Sequence, residues 1–250
     1  MITEKIPVFN DILLAHKRIK SYIHRTPVMT SLSIDRMFDN HLFFKCENFQ
    51  KAGAFKFRGA TNSVLSLTGE EAKHGVATHS SGNHAAALAL AAKIRGIRSY
   101  IVMPVNSSEV KKKAVEAYGA EITFCKPTLE AREQTLIDVV ARTSAIFIHP
   151  YNYFTTICGQ GTAVLELLQD VPDLEMIIAP VGGGGLMSGT AIAAKGFNSS
   201  IRVIAAEPEN AGDAHRSFTC RTLLHSVNQN TIADGLLTSL GSITFDIIQK

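Results

Sequence analysis

The segment Val181-Gly182-Gly183-Gly184-Gly185-Leu186 joins an apolar run, Met176 to Val181, to an alanine-rich stretch of helical spacing, Leu186 to Lys195. A strand, a glycine turn and a helix in that order are the building unit of an α/β sheet. Four residues without side chains let the backbone wrap a phosphate, and the helix dipole favours a dianion there. A merely tight turn uses the same residues. The spacing matches neither the dinucleotide pattern Gly-x-Gly-x-x-Gly nor a P-loop, because no Gly-Lys-Ser/Thr follows.

The same alternation extends outward from this segment. Leu42 to Cys46, Gly75 to Thr78, Tyr100 to Met103, Glu121 to Phe124, Ile146 to Ile148 and Val203 to Ala206 are short apolar runs that predict strands. Ala60 to Leu67, His84 to Ile94, Ser108 to Tyr118, Leu129 to Thr143 and Gly161 to Leu168 have the apolar spacing and alanine content of helices. Gly96, Gly119 and Gly196 stand where helices should stop, as left-handed C-terminal caps. Strands alternating with helices predict parallel sheets covered on both faces. No repeat, Pro-rich linker or low-complexity tract divides the chain, so a second domain would be inserted without a tether.

With 46% hydrophobic and 19% charged residues among 250, the chain can bury a substantial core. A net charge of +3, carried by scattered basic residues, leaves no nucleic-acid footprint. The basic run Lys111-Lys112-Lys113 follows Ser107 and Ser108, which read as helix caps, and is expected to be a solvated helix face. No apolar stretch reaches the length of a membrane span. The start of the chain, with Glu4 and Asp11, lacks the order of a signal peptide, so the expected compartment is the cytoplasm. Cys46, Cys125, Cys158 and Cys220 are far apart, and the nine histidines form no ligand cluster, so zinc is not indicated.

Two further glycine-bearing turns follow strand-like runs, where open α/β sheets bind their ligands. Ser80-Ser81-Gly82-Asn83-His84 opens an alanine-rich helix. Its hydroxyls, amide and free N–H groups can hold a carboxylate; alternatively Ser81 or Asn83 simply caps the helix. His84 reads as a packed or hydrogen-bonding histidine. Glu47 to Gly59 contains Lys56 between Phe55 and Phe57. Apolar surroundings would favour its neutral amine, the form that attacks an aldehyde, while a surface lysine laying its stem on apolar neighbours has the same sequence.

Glu47 to Gly59 resembles the lysine motif of fold-type II pyridoxal-phosphate enzymes, Ser80 to His84 their substrate-carboxylate loop, and Gly182 to Leu186 their phosphate loop, all in the family's order. The similarity runs from His24-Arg25-Thr26-Pro27 through Gly159-Gln160-Gly161-Thr162 to Ala233-Asp234-Gly235. The Ser-Gly-Asn-His sequence points to the serine/threonine dehydratase and serine racemase branch. The resemblance implies an α/β fold of the tryptophan synthase β-like kind, with two parallel-sheet domains and helices on both faces. Residues 1–65 and 150–250 would form a large cofactor-binding domain and residues 66–149 a small mobile one. It also implies that Lys250 precedes the C-terminal part of the large domain and the Ser or Cys that meets the pyridine nitrogen.

Residue by residue, the resemblance implies that Lys56 carries pyridoxal phosphate, that Phe55 and Gly235 flank its ring, and that Asn83 meets its phenolic oxygen. Gly182, Gly183, Gly184, Gly185 and Leu186 would hold its phosphate. Ser80, Ser81, Gly82, Asn83 and His84 would take the substrate carboxylate, and Arg132 would contact substrate. Glu207, Asp213 and the carbonyl of Ala211 resemble a magnesium or calcium site; an acidic loop with no ion is the alternative. The implied reaction is β-elimination, turning a hydroxy amino acid such as L-serine, L-threonine or 3-hydroxyaspartate into an α-keto acid and ammonia. Racemisation with Lys56 and Ser81 on opposite faces is the alternative activity, and a catalytically silent fragment or binding subunit, suggested by length alone, a further one. A homodimer is also implied. Ala86, where these enzymes often carry Gln, and the run Pro150-Tyr151-Asn152-Tyr153-Phe154 depart from the serine racemase pattern and leave substrate choice and nucleotide activation open.

Overall fold

In the computed structural model, which describes residues 5–227 and 230–250, the apolar runs become strands and the alanine-rich stretches helices; Glu4 lies outside the described residues. The chain opens with α1 (Phe9–Ile19), β1 (Val28–Met29), α2 (Leu32–Phe38) and β2 (Phe44–Lys45). Two 3-10 turns, Glu47–Phe49 and Lys51–Gly53, lead into α3 (Lys56–Ser66) and α4 (Gly69–Lys73). An alternating stretch follows: β3 (Val76–His79), α5 (Asn83–Arg95), β4 (Ser99–Pro104), α6 (Glu109–Ala117), β5 (Glu121–Cys125), α7 (Leu129–Thr143) and β6 (Ile146–Phe147). The remainder holds α8 (Phe154–Asp170), β7 (Met176–Pro180), α9 (Gly185–Phe197), β8 (Arg202–Ala206), α10 (Asp213–Cys220) and α11 (Ser242–Ile248).

Strands β3 to β6 form one parallel sheet in the order β5-β4-β3-β6. Their side chains alternate between faces, as the pleat requires. Val76, Ile101 and Met103 enter a core shared with α3, α5 and α6, whereas Ala77, Tyr100 and Val102 pack on Leu136 and Val139 of α7. Both faces are therefore covered. The chain winds from β3 to β4 and β5 on one side, then returns to place β6 on the other side of β3. That reversal opens a crevice at the C-terminal ends of β3 and β6, the place where α/β sheets bind ligands. Ser80 to His84 follows β3, and His149 to Tyr151 follows β6.

A second layer packs α1, α8 and α9 against the parallel pair β7-β8, with Ile12, Leu165, Leu168, Ile177 and Ala194 in its core. Close approach explains its glycines. A Cβ on Gly159 would lie 2.6 Å from the Arg58 carbonyl oxygen, and one on Gly161 would lie 2.8 Å from that of Gly189. These glycines let α8 touch α3 and α9, so α8 starts at Phe154 and runs through the positions that had suggested a start at Gly161.

Three other expectations are corrected. Leu42 to Cys46 contributes only the two-residue β2, which pairs antiparallel with β1 and belongs to no parallel sheet; an antiparallel ribbon needs no crossover helix. Gly96 and Gly119 do take left-handed φ values of 73° and 83°. Gly196, however, is not a cap: α9 continues through it to Phe197, and its missing side chain makes room for the Phe9 ring. Ser108 occupies the N-cap position of α6 without a side-chain cap bond. Among the described residues, no helix is long and apolar enough to cross a membrane.

Candidate active site

Lys56 is the first residue of α3, one turn earlier than its sequence spacing suggested, with Phe55 as N-cap. Its Nζ donates to the Pro150 carbonyl at 3.1 Å and lies 5.3 Å from the Phe55 ring centroid and 5.9 Å from that of Tyr151. Burial lowers its pKa from 10.5 to about 8, with no carboxylate opposing the shift. At pH 7 about one amine in ten is then neutral, against about one in three thousand for an ordinary lysine.

Tyr151 links this amine to the glycine turn. Its ring lies against Gly183, and its Cβ is 2.9 Å from where a Gly185 Cβ would stand. Gly184 sits at φ 82° as the N-cap of α9 and supplies no side-chain cap, which leaves the first N–H groups of the helix without an intrahelical acceptor. Thr244 Oγ1 donates to the Gly183 carbonyl at 2.9 Å and holds the turn from behind. Gly182 presses on the segment 235–238, with Thr238 Oγ1 and Leu236 Cα at 3.0 and 3.1 Å from its Cβ position. Leu186 follows as the second residue of α9, and the space beside Gly235 is open.

The loop after β3 is not a capping motif. The N-cap of α5 is Gly82, neither Ser81 nor Asn83 caps the helix, and both are exposed. Ser80 Oγ accepts from the Gly82 N–H at 3.3 Å. His84 is buried with Nε2 3.3 Å from the Ile148 carbonyl, so Nε2 donates and Nδ1 is left as a buried acceptor without a protein partner among the described residues. His149 Nδ1 accepts from the Tyr151 and Asn152 N–H groups at 3.3 and 3.0 Å. Burial, with His79 and Lys56 nearby, lowers its pKa to about 3. His79 stacks on Phe147, and burial plus the Arg132 charge bring it to about 4. His84 is held well below the usual histidine range, mainly by burial. Three neutral imidazoles thus line the crevice without adding charge to that of Lys56. Arg132, on α7, donates from its side chain to the Thr128 carbonyl at 3.3 Å, and its charge reaches His79 and Tyr151.

Glu207, Ala211 and Asp213 gather at the start of α10. Glu207 accepts from the N–H groups of Ala214 and His215 at 3.2 and 2.6 Å. Asp213 is buried, and its Oδ2 has no partner among the described residues. Burial raises both carboxyl pKa values, and the Asp213 charge raises that of Glu207 further. A buried carboxylate with an orphaned oxygen, beside a half-buried one that it repels, suits a hard cation. No group of three His, Cys, Asp or Glu side chains able to hold a metal occurs among the described residues, so such an ion would also need backbone oxygen.

The site includes groups that sequence reasoning did not single out. His79, His149 and Thr244 had no motif to mark them, and Tyr151 was noticed only as a departure. The one available signal was position, since residues 149–151 follow strand β6 as Ser80 follows β3. An aldehyde that carries a phosphate suits what is assembled: a partly neutral amine, an uncapped helix N-terminus in a glycine turn, and open space beside Gly235.

A family model described as pyridoxal-phosphate dependent enzyme matches residues 19–250. The chain is 51% identical over 242 residues to a serine racemase of Dictyostelium discoideum, covering 96% of this chain and 75% of that protein. It is 48% identical over 245 residues to a beta-hydroxyaspartate dehydratase of Paracoccus denitrificans (strain Pd 1222), covering 98% and 78%. The structure of maize serine racemase superposes with a TM-score of 0.97 at 50% identity, covering 98% of this chain and 75% of that one. The chain therefore belongs to the pyridoxal-phosphate dependent enzymes.

Proposed function

We propose that this enzyme eliminates water from a hydroxy amino acid, such as L-serine, L-threonine or 3-hydroxyaspartate, to give an α-keto acid and ammonia. The observation that carries this reading is the Lys56 amine, held at a pKa of about 8 in the crevice that the Ser80 loop and the glycine turn also border. Pyridoxal phosphate, when bound, supplies the electron sink that makes a Cα proton acidic. Gly182, Gly183, Gly184, Gly185 and Leu186 would hold its phosphate, Phe55 and Gly235 would flank its ring, and Asn83 would meet its phenolic oxygen.

Lys56 removes the Cα proton, because a base titrating near working pH is free often enough and still basic enough to act. The proton is then at hand on Nζ for the β-hydroxyl to leave as water. Ser80, Ser81, Gly82, Asn83 and His84 take the substrate carboxylate, and Arg132 orients the substrate from α7. Tyr151 closes the floor between Lys56 and the glycine turn against water. Glu207, Asp213 and the Ala211 carbonyl would hold magnesium or calcium. Division into residues 1–65 with 150–250 and residues 66–149 would put Lys56 and the glycine turn on one side and Ser80 to His84 on the other. Leu32, Met37 and Phe38 are each more than 60% exposed on α2, which supports a homodimer that covers them.

Racemisation is a second reading, supported by 51% identity to a serine racemase and by the exposed Ser81 hydroxyl. Here Ser81 returns a proton to the face opposite Lys56. The test begins with near-visible absorbance of the purified protein before and after borohydride, with the reduced adduct mapped by mass spectrometry. An adduct on Lys56 together with keto-acid release supports elimination; failure to bind pyridoxal phosphate overturns both activities. Ser81→Ala should abolish racemisation and spare part of the elimination, and equal loss of both overturns the two-face reading.

A further inference from the structure

The run Lys111-Lys112-Lys113 has no part in the chemistry above, and its first member differs from the others. Lys112 stays local, pairing with Glu109 at 2.8 Å and donating to the Val105 carbonyl at 2.9 Å. Lys113 is exposed. Lys111 instead leaves its helix and pairs with the Asp234 carboxylate, 123 residues away in the chain. Its stem lies over Gly82: a Cβ there would stand 3.2 Å from Lys111 Cδ and Nζ.

Both ends of this contact border the candidate site. Gly82 is the N-cap of α5 and the centre of the Ser80–His84 loop. Asp234 opens the 3-10 turn Asp234–Leu236, whose Gly235 carbonyl oxygen lies 3.3 Å from the Gly182 Cβ position. A single side chain thus spans from the loop after β3 to the segment that backs the glycine turn. The pair is too solvated to hold the fold, with side chains 34% and 69% exposed. An interaction of that strength can still bias a loop between two arrangements.

We propose that Lys111 and Asp234 are positioning residues, whose ion pair latches the Ser80–His84 loop to the 234–236 turn and so sets affinity for the substrate carboxylate. Only the kinetic part of the test rests on the elimination or racemisation reading. Lys111→Met keeps the stem over Gly82 and removes the charge, and Asp234→Asn keeps the shape of its partner. In the full chain, amide hydrogen exchange is followed at residues 80–86 and 234–236, where Ser80, Ala86 and Leu236 donate backbone hydrogen bonds. Each single variant should exchange about two- to fivefold faster there. The double variant should be no faster than either single, and the thermal midpoint should stay within about 3 °C of the parent.

With substrate, KM should rise about two- to fivefold while kcat changes less than about twofold. Added salt should raise KM of the parent and leave that of Lys111→Met unchanged, because salt screens the exposed pair. Unchanged exchange in either single variant, additive effects in the double, or a fall in kcat at constant KM overturns the latch. Faster exchange throughout the chain with a large drop in midpoint marks a merely structural role and overturns it too. If no hydroxy amino acid is turned over but exchange responds as expected, the latch stands and the elimination reading falls.

Discussion

Lys56 and Arg58 stand two residues apart at the start of α3, both cationic and both withdrawn from water, yet their surroundings drive them in opposite directions. Arg58 is fully buried and grips two carboxylates. Its Nε and Nη2 donate to Glu47 at 2.7 and 2.8 Å, and its Nη1 and Nη2 to Glu166 at 2.9 and 2.8 Å. Burial opposes its charge, but the hydrogen bonds and charges of Glu166 and Glu47 outweigh that cost and raise its pKa. Lys45 completes the cluster at 2.9 Å from Glu166. Lys56 has a carbonyl and two aromatic rings and no carboxylate, so burial acts on it alone. Burial with matched anions makes an inert anchor; burial without them makes a reactive amine.

The sharpest way to break this contrast is to remove each cation in turn. Lys56→Ala should lower turnover at least about a thousandfold and abolish the near-visible absorbance, while the thermal midpoint of the cofactor-free protein does not fall. Arg58→Met should do the reverse. It strands Glu47 and Glu166, and chemical denaturation at neutral pH should show a loss of about 3–5 kcal/mol.

A pH series sharpens the same comparison at lower amplitude. Lys56 titrates near 8 when folded and near 10.5 when unfolded, so the unfolded chain binds more protons between these values and stability rises with pH across that window. Relative to Lys56→Met, which lacks this titration, the cofactor-free parent should gain on the order of 2 kcal/mol from pH 8 to 10.5. Glu166 behaves oppositely. Burial works against its charge, but Arg58 and Lys45 prevail and lower its pKa below 4.5, so its stabilisation is present above that value and lost as pH falls through the lowered one. Thermal melts across both windows check the two signs. The smallest effect is expected at the solvated pair Lys73–Glu70, where Lys73→Ala should leave the midpoint unchanged within error.

Much of the fold was legible because strand and helix periods are local. Leu129 to Thr143 coincides with α7, and the runs at Tyr100, Glu121 and Met176 all became strands within a residue or two of their expected ends. Glycines misled where their purpose was contact across the fold: Gly159 and Gly161 hid the first turns of α8, and Gly196 looked like a stop signal while making room for Phe9. Within the site, Lys56, Gly182 to Gly185 and Ser80 to His84 stood out by pattern. His149, Tyr151 and Thr244 did not, because their relevance comes from reaching segments tens of residues away. Lys111 was hidden among its neighbours, since nothing local separates it from Lys112.

The sequence by itself therefore determined the alternation of elements, the three loops at strand ends and the lysine between two phenylalanines, all of which depend on neighbours a few residues away. The tertiary structure alone decided which cation keeps its proton and what each loop faces. The carboxylates that fix the charge of Arg58 lie 11 and 108 residues from it, and Coulombic and desolvation energies depend on distance in space, which only the folded chain sets.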